Sequence, residues 1–150
     1  LLAYIQPVFI DLDMNTVEPA VGARRMDKIY AWKSMLDMGI HASGGSDAPV
    51  VSFDAMENIY FAVTRKNIKG QPEEGWIPSE KMSVDEAVKL FTKNAAYASY
   101  TEKENGTIET GKNADLVVLE KDIYSIDPDE IKTVKVDMTV LGGKVVFERE

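Results

Sequence analysis

The sequence predicts an α/β fold, with strands and helices alternating over its first part and short strands alone near its end. Two observations carry this prediction. An apolar strand run, Leu1 to Ile5, precedes an amphipathic helix pattern, and that helix leads into a strand of small residues, Ile40 to Gly45. Strand, helix and strand over this length form a βαβ unit, whose crossover requires parallel strands. After about residue 104 the chain changes to short strands separated by glycines.

The first βαβ unit is predicted as follows. Residues 1–10 form a strand that is broken by Pro7, and a polar loop from Asp11 to Arg24 follows. From Arg25 to Met38 apolar residues recur at helical spacing, and Gly39 stands where a helix C-terminal glycine belongs. The segment Ile40 to Gly45 is assigned as a strand by its context, because serine and glycine have low strand propensity.

Two helices and a long loop are predicted next. Asp54 is the predicted N-cap of the first helix, whose apolar face is formed by Met56, Ile59, Tyr60 and Val63. Residues 67–82 form an irregular stretch whose length is typical of a functional lid or a disordered loop. A capping box from Ser83 to Glu86 starts the second helix, whose apolar face is formed by Val84, Ala87, Val88, Phe91 and Ala95.

The end of the chain is predicted to form a small β unit. Its strands are expected at Gly106 to Ile108, Ala114 to Leu119, Val136 to Leu141 and Lys144 to Phe147. Gly142 and Gly143 form a two-residue hairpin turn between the last two strands. We therefore divide the chain into residues 1–104 and residues 105–150.

The composition excludes several classes of function. The chain is 45% hydrophobic and 28% charged, as in ordinary globular proteins, with a formal net charge of -8. Its acidic residues are scattered and it has no basic cluster, so we expect neither nucleic acid nor a membrane as a partner. It has no cysteine, which excludes thiolate metal ligands and fits a reducing, cytoplasmic location. Since the chain begins without methionine, within a strand-like run, we expect a piece of a longer protein.

The segment from Gly39 to Pro49 contains the candidate catalytic residue. A strand of small residues delivers one carboxylate, Asp47, and the chain then turns at Ala48-Pro49. This pattern is typical of a β/α barrel strand, which presents catalytic residues at its C-terminal end. An aspartate held there can bind a metal ion, move a proton, or do both. The structural alternative for an aspartate before Ala-Pro is a turn or cap residue.

Two motifs together resemble those of the amidohydrolase superfamily, and in particular the branch containing the N-substituted formamide deformylases. The first is Gly45-Ser46-Asp47-Ala48-Pro49. The second is Gly106-x-Ile108-x-x-Gly111-x-x-Ala114-Asp115-Leu116-Val117-Val118-Leu119, followed by Thr139-x-x-x-Gly143-x-x-Val146. The resemblance implies the C-terminal fragment of a TIM-like (β/α)8 barrel, plus the C-terminal strands of a small β-sandwich. Leu2 to Val8 and Ile40 to Gly45 would be the last two barrel strands.

The resemblance also implies a function, namely metal-dependent hydrolysis of carbon–nitrogen bonds in a small amide-type molecule. Asp47 matches the family's strand-end aspartate, which contacts the metal and shuttles a proton. We expect a divalent metal, zinc, in the full-length protein and none bound by this chain alone. The family's metal histidines and its bridging lysine or glutamate lie on earlier strands, whereas this chain has one histidine, His41.

Trp76 and Asp115 have both a functional and a structural interpretation, and His41 has a structural one. Trp76 either lines a substrate pocket on the active face of the barrel or anchors its loop by packing in the core. His41 is expected to have a structural or surface role. Asp115 resembles a ligand, but its Ala-Asp-Leu turn favours a hydrogen bond with the backbone.

Two alternative interpretations stay open. The chain alone is expected to be a catalytically inactive structural fragment and a homo-oligomer, because the open parallel edges of two barrel strands can pair with another copy. A β/α barrel enzyme of unrelated chemistry would explain the βαβ unit but not the segment from Gly106 to Leu119. The fold alone does not decide which of these functions applies.

Overall fold

Two strands from the first part of the chain form a parallel pair. In the computed structural model, which describes all residues 1–150, β1 (Leu2–Ile5) pairs with β2 (His41–Gly44). Ile5 lies opposite Gly44, and the N–H of Gly45 donates to the carbonyl of Ile5 at 2.9 Å. Both strands therefore end at the same edge of the sheet, which we call the C-terminal edge.

The crossover between these strands is helical but more broken than the sequence predicts. It contains α1 (Phe9–Asp13), α2 (Val17–Val21), a 3₁₀-helix (Ala23–Lys28) and α3 (Trp32–Asp37). The predicted strand over residues 1–10, the polar loop and the continuous helix from Arg25 to Met38 were therefore wrong in extent. Tyr30 has a left-handed backbone with φ of 47°, which an α-helix cannot contain, so it separates the 3₁₀-helix from α3.

The end of α3 agrees with the sequence prediction. Gly39 has φ of 76°, and its N–H donates to the carbonyl of Leu36 at 2.9 Å. The N–H of Ile40 donates to the carbonyl of Met35 at 3.0 Å. These two bonds form a Schellman motif, which turns the chain out of α3 and into β2.

The next helix, α4 (Ala55–Thr64), lies at the centre of the molecule. Its predicted N-cap is confirmed, because the Asp54 carboxylate accepts a hydrogen bond from the N–H of Met56 at 2.8 Å. The sequence predicts a single apolar face, but residues 58–64 are all buried. The reason is that a distant 3₁₀-helix, Pro128–Thr133, and a neighbouring α-helix both pack against α4.

The helix predicted after the long loop is divided in two. It consists of α5 (Val84–Phe91) and α6 (Lys93–Ala98), because the backbone of Thr92 leaves the helical region with φ of -126° and ψ of -98°. The predicted capping box of α5 is confirmed by reciprocal bonds between Ser83 and Glu86. The preceding loop is irregular as expected, apart from one short 3₁₀-helix at Pro78–Glu80.

The C-terminal sheet is antiparallel, in the order β3 (Leu116–Leu119), β4 (Val136–Leu141) and β5 (Lys144–Glu148). The predicted hairpin at Gly142-Gly143 is confirmed. The predicted strand from Gly106 to Ile108 was wrong. That segment has no partner strand and lies in a loop. In this loop the Lys112 ammonium donates to the carbonyl of Glu102 at 2.8 Å and to the Thr107 hydroxyl.

One hydrophobic core includes residues from both parts of the chain. Ile131, fully buried in the Pro128–Thr133 3₁₀-helix, belongs to the same cluster as Ile59 and Phe61 of α4. The α/β class is thus confirmed, while the division at residue 104 and the place of β1 and β2 in a barrel stay predictions. None of the helices combines the length and the apolar character needed to cross a bilayer.

Candidate active site

Asp47 lies in the turn that follows β2 at the C-terminal edge. Its backbone is left-handed, with φ of 61°, a conformation that aspartate adopts more readily than most residues. Its carbonyl accepts a hydrogen bond from the N–H of Val50 at 2.9 Å, which closes the turn. Its side chain is exposed and forms no hydrogen bond or ion pair within the chain. A free carboxylate therefore stands beyond the end of a parallel strand.

The small residues of β2 are explained by the helices that pack on it. A Cβ atom added to Gly44 would lie 2.6–2.9 Å from three ring atoms of Phe91 in α5. Ala42 is completely buried, and its carbonyl accepts a hydrogen bond from the Asn94 side chain of α6 at 2.9 Å. Close packing of α5 and α6 on β2 thus requires small residues in this strand.

The loop from Asp47 to α4 is bonded to one buried polar side chain, Asn58. From residue 47 to residue 55 every residue is exposed except Val51, which packs against the core. Asn58 is only 1% exposed. Its side-chain carbonyl accepts from the N–H of Val8 at 3.1 Å, and its amide donates to the carbonyl of Asp54 at 3.0 Å. One side chain therefore joins the loops that leave β1 and β2.

Asn58 was missed from the sequence because it lies off the apolar face predicted for its helix. A usable signal was the uninterrupted apolar run from Ile59 to Val63. A helix that is apolar all round is buried on all sides. A polar residue at its start must then find buried hydrogen-bond partners.

Trp76 lies in a different cluster, at the C-terminal end of α4. Its N–H donates to the carbonyl of Arg65 at 2.6 Å, and the Arg65 Nε donates back to the Trp76 carbonyl at 2.9 Å. The Arg65 guanidinium lies 5.2 Å from the ring centre of Trp32 and 5.5 Å from that of Trp76. Complete burial lowers the pKa of Arg65 to about 10, so this arginine, also missed from the sequence, stays charged at neutral pH.

This placement separates Trp76 from Asp47. Asp47 precedes the N-terminus of α4, whereas Arg65 and Trp76 meet at the opposite end of that helix. Trp76 also packs against the hydrophobic core and contacts the Tyr30 ring edge-on, with 5.7 Å between ring centres. This packing favours the loop-anchoring interpretation, and a substrate contact by Trp76 stays an untested prediction.

His41 and Asp115 both make contacts that suit structural roles. The exposed His41 ring stacks on Tyr97 with 4.7 Å between ring centres. It begins β2 and so lies at the opposite end of the strand from Asp47. The Asp115 carboxylate accepts from the N–H of Gly142 at 2.7 Å, which confirms the predicted bond to the backbone.

The residues of this chain do not form a complete metal centre. No group of three or more histidine, cysteine, aspartate or glutamate side chains lies close enough together to hold an ion. A catalytic zinc generally has three protein ligands. The chain's own donor set therefore does not fit a whole site, although the free carboxylate of Asp47 suits the role of a single oxygen ligand.

Comparison with known proteins decides the family. The sequence model of the amidohydrolase family matches residues 1–147. The chain belongs to the amidohydrolase family. It is 37% identical over 145 residues to the putative amidohydrolase YtcJ of Bacillus subtilis, covering 97% of this chain and 27% of that protein. It is 36% identical over 122 residues to an N-substituted formamide deformylase of Arthrobacter pascens, covering 81% of this chain and 22% of that protein.

A solved structure shows the same fold. An uncharacterised metal-dependent hydrolase from Pyrococcus horikoshii superposes with a TM-score of 0.73 at 22% sequence identity, over 83% of this chain and 25% of that one. This amidohydrolase chain thus spans about a quarter of the length of its relatives. The resemblance predicted from the two sequence motifs is confirmed by these matches.

Proposed function

We propose that this chain is the part of a metal-dependent amidohydrolase that carries a catalytic aspartate, Asp47. The whole protein is proposed to hydrolyse the carbon–nitrogen bond of a small amide-type molecule. The observation that carries this proposal is the free, exposed carboxylate of Asp47 at the C-terminal edge of β2. In β/α barrels that edge is where catalytic residues lie, and membership of the amidohydrolase family supports the reaction class.

The proposed chemistry requires a group that can take and return a proton. When water attacks the carbonyl carbon of an amide, the Asp47 carboxylate accepts the proton that the water loses. When the carbon–nitrogen bond breaks, Asp47 gives that proton to the leaving nitrogen, so the products are a carboxylic acid and an amine. Because no other group of the chain is bonded to its carboxylate, Asp47 is available for both transfers.

A divalent metal, proposed to be zinc, would add Lewis acidity that lowers the pKa of water and polarises the carbonyl. Asp47 would supply one of its ligands, and the others are proposed to lie elsewhere in the whole protein. Support for a metal comes from the metal-dependent hydrolase whose fold this chain shares.

N-substituted formamides are the substrate class that we propose to test first. One relative, from A. pascens, is a deformylase of such compounds. Hydrolysis would release formate and an amine. N-phenylformamide is a suitable probe because its product, aniline, is easily quantified by chromatography, and N-phenylacetamide would show whether larger acyl groups are accepted.

The first prediction is that Asp47→Asn abolishes most of the turnover of the full-length protein. Asparagine has nearly the same size as aspartate but cannot take the proton from water. We expect the rate of aniline release to fall by about 10²–10⁴-fold, the usual contribution of general acid–base catalysis. Circular dichroism should be unchanged, because the Asp47 side chain is exposed and unbonded.

Asp115→Asn is the matched control for this experiment. It makes the same substitution, but an asparagine there can still accept the hydrogen bond from Gly142, so turnover should stay near that of the wild type. Near-normal turnover by Asp47→Asn would overturn the assignment of Asp47.

A further inference from the structure

We propose that Asn58 is a positioning residue, which holds the loop carrying Asp47 in the place that catalysis requires. We call residues 45–54, which join β2 to α4, the Asp47 loop. The inference rests on the proposed function of Asp47. It concerns a residue that lies within α4 and would act only through the position of that loop.

The Asp47 loop has few attachments of its own. It is fastened at its start by the bond from the Gly45 N–H to the carbonyl of Ile5. Its other bonds are local, from the N–H of Val50 to the carbonyl of Asp47 at 2.9 Å and from the N–H of Asp54 to the Ser52 hydroxyl at 3.2 Å. These local bonds shape the loop. Val51 also packs against the core, and the Asp54 carboxylate accepts from the N–H of Met56 in α4 at 2.8 Å.

Asn58 adds a buried attachment at the far end of the loop. The carbonyl of Asp54 accepts the backbone N–H of Asn58 at a long 3.3 Å and the Asn58 side-chain amide at a shorter 3.0 Å. The side-chain bond is therefore the better of the two contacts at this carbonyl. Since Asn58 is 1% exposed, water cannot replace the bond without a local opening of the structure.

The same side chain also provides a hydrogen-bond acceptor for a backbone N–H of the loop that follows β1. The N–H of Val8 is a donor in a residue that is only 6% exposed, and a buried donor needs an acceptor. The Asn58 side-chain carbonyl provides it at 3.1 Å. Only an amide offers a donor and an acceptor together in this shape, so both hydrogen bonds depend on asparagine at this position.

The two bonds join the loops that leave neighbouring parallel strands at the C-terminal edge. A shift of about 1 Å in a reacting group can lower a rate by about 10²-fold. Loss of the Asn58 side chain should therefore reduce turnover through the position of Asp47, without removing any group that contacts the substrate.

The test uses two variants of the full-length protein and one control. Asn58→Leu removes both hydrogen bonds, while Asn58→Asp keeps an acceptor for Val8 and loses the donor to Asp54. The matched control is Asn94→Leu, which also removes an asparagine amide bonded to a backbone carbonyl, that of Ala42 at 2.9 Å, but within β2 and not in the loop. Hydrogen–deuterium exchange of residues 45–54 is measured together with kcat and KM for N-phenylformamide.

We expect both Asn58 variants to increase exchange in residues 45–54 by about tenfold or more, and Asn94→Leu to leave it within about twofold. We expect kcat to fall by about 10²-fold with KM nearly unchanged in the Asn58 variants only. Unchanged exchange in the Asn58 variants, or an equal fall of kcat in Asn94→Leu, would overturn the proposal. Failure of the wild type to hydrolyse either amide would contradict the proposed function alone, since the exchange measurement still decides whether Asn58 holds the loop.

Discussion

At the residue scale, the strand before Asp47 is shaped by what packs on it. Gly44 faces the ring of Phe91, and this contact leaves no room for a side chain. Gly45, the next residue, has nothing within 4 Å of the position that a Cβ atom would occupy. Neither glycine has a left-handed backbone. Comparing the same substitution at the two positions therefore separates the effect of packing from the effect of backbone conformation.

We therefore expect Gly44→Ala to lower the free energy of unfolding by about 1–3 kcal/mol, the usual cost of an overpacked core. The added methyl group would force the Phe91 ring away from β2. Urea unfolding followed by circular dichroism measures the loss. Gly45→Ala is the control and should cost much less, and an equal loss in both variants would contradict the packing explanation.

At the element scale, the helix starts follow local sequence signals. In α5 the capping box joins Ser83 and Glu86, and Glu86 also pairs with Lys33 of α3 at 3.3 Å. Burial raises the pKa of Glu86, but the hydrogen bonds from Ser83 and the Lys33 ammonium lower it more strongly, so its pKa lies below the ordinary value. The folded protein thus stabilises the charged form of this carboxyl group.

This shift makes the capping box sensitive to acid. A carboxyl group whose folded pKa is lowered stabilises the protein above its unfolded pKa, and the stabilisation is lost as pH falls through the folded pKa. We expect Glu86→Gln to be less stable than the wild type at pH 7 and the difference to shrink on acidification below about pH 4. Urea unfolding of both proteins at pH 7 and pH 3 measures this, and a difference independent of pH would contradict it.

At the scale of the whole molecule, the C-terminal segment docks on α4 through the 3₁₀-helix Pro128–Thr133. Ile131 is fully buried there. The Lys132 ammonium lies 4.4 Å from the ring centre of Tyr60, and Lys66 pairs with Asp129 at 2.7 Å. Because the ion pair is partly exposed and exposed pairs contribute little, we attribute most of the stability of this contact to the burial of Ile131.

We expect Ile131→Ala to lower the free energy of unfolding by about 2–5 kcal/mol, as for other large-to-small core substitutions. Ile108→Ala makes the same change at a residue that is 88% exposed and should change stability by no more than about 0.5 kcal/mol. Chemical denaturation of both variants measures the two losses. A small loss in Ile131→Ala would show that the segment is held by other contacts.

The sequence alone was sufficient to predict the α/β class, the caps of α4 and α5, the glycine that ends α3, the last hairpin and the family. These features depend on residues within a few positions of one another, and the amidohydrolase motifs are local as well. It also singled out Asp47 as the candidate catalytic residue, and that role stays a prediction.

Other features depended on contacts between distant parts of the chain. Local periodicity did not reveal the breaks at Tyr30 and Thr92, and a strand pattern at Gly106 to Ile108 found no partner strand. The role of Asn58 depends on its hydrogen bond with Val8, 50 positions away along the chain, which no local pattern indicates. The physical reason is that the free energy of a cap or turn is set by neighbouring residues, whereas burial is set by whatever the whole fold packs against a side chain.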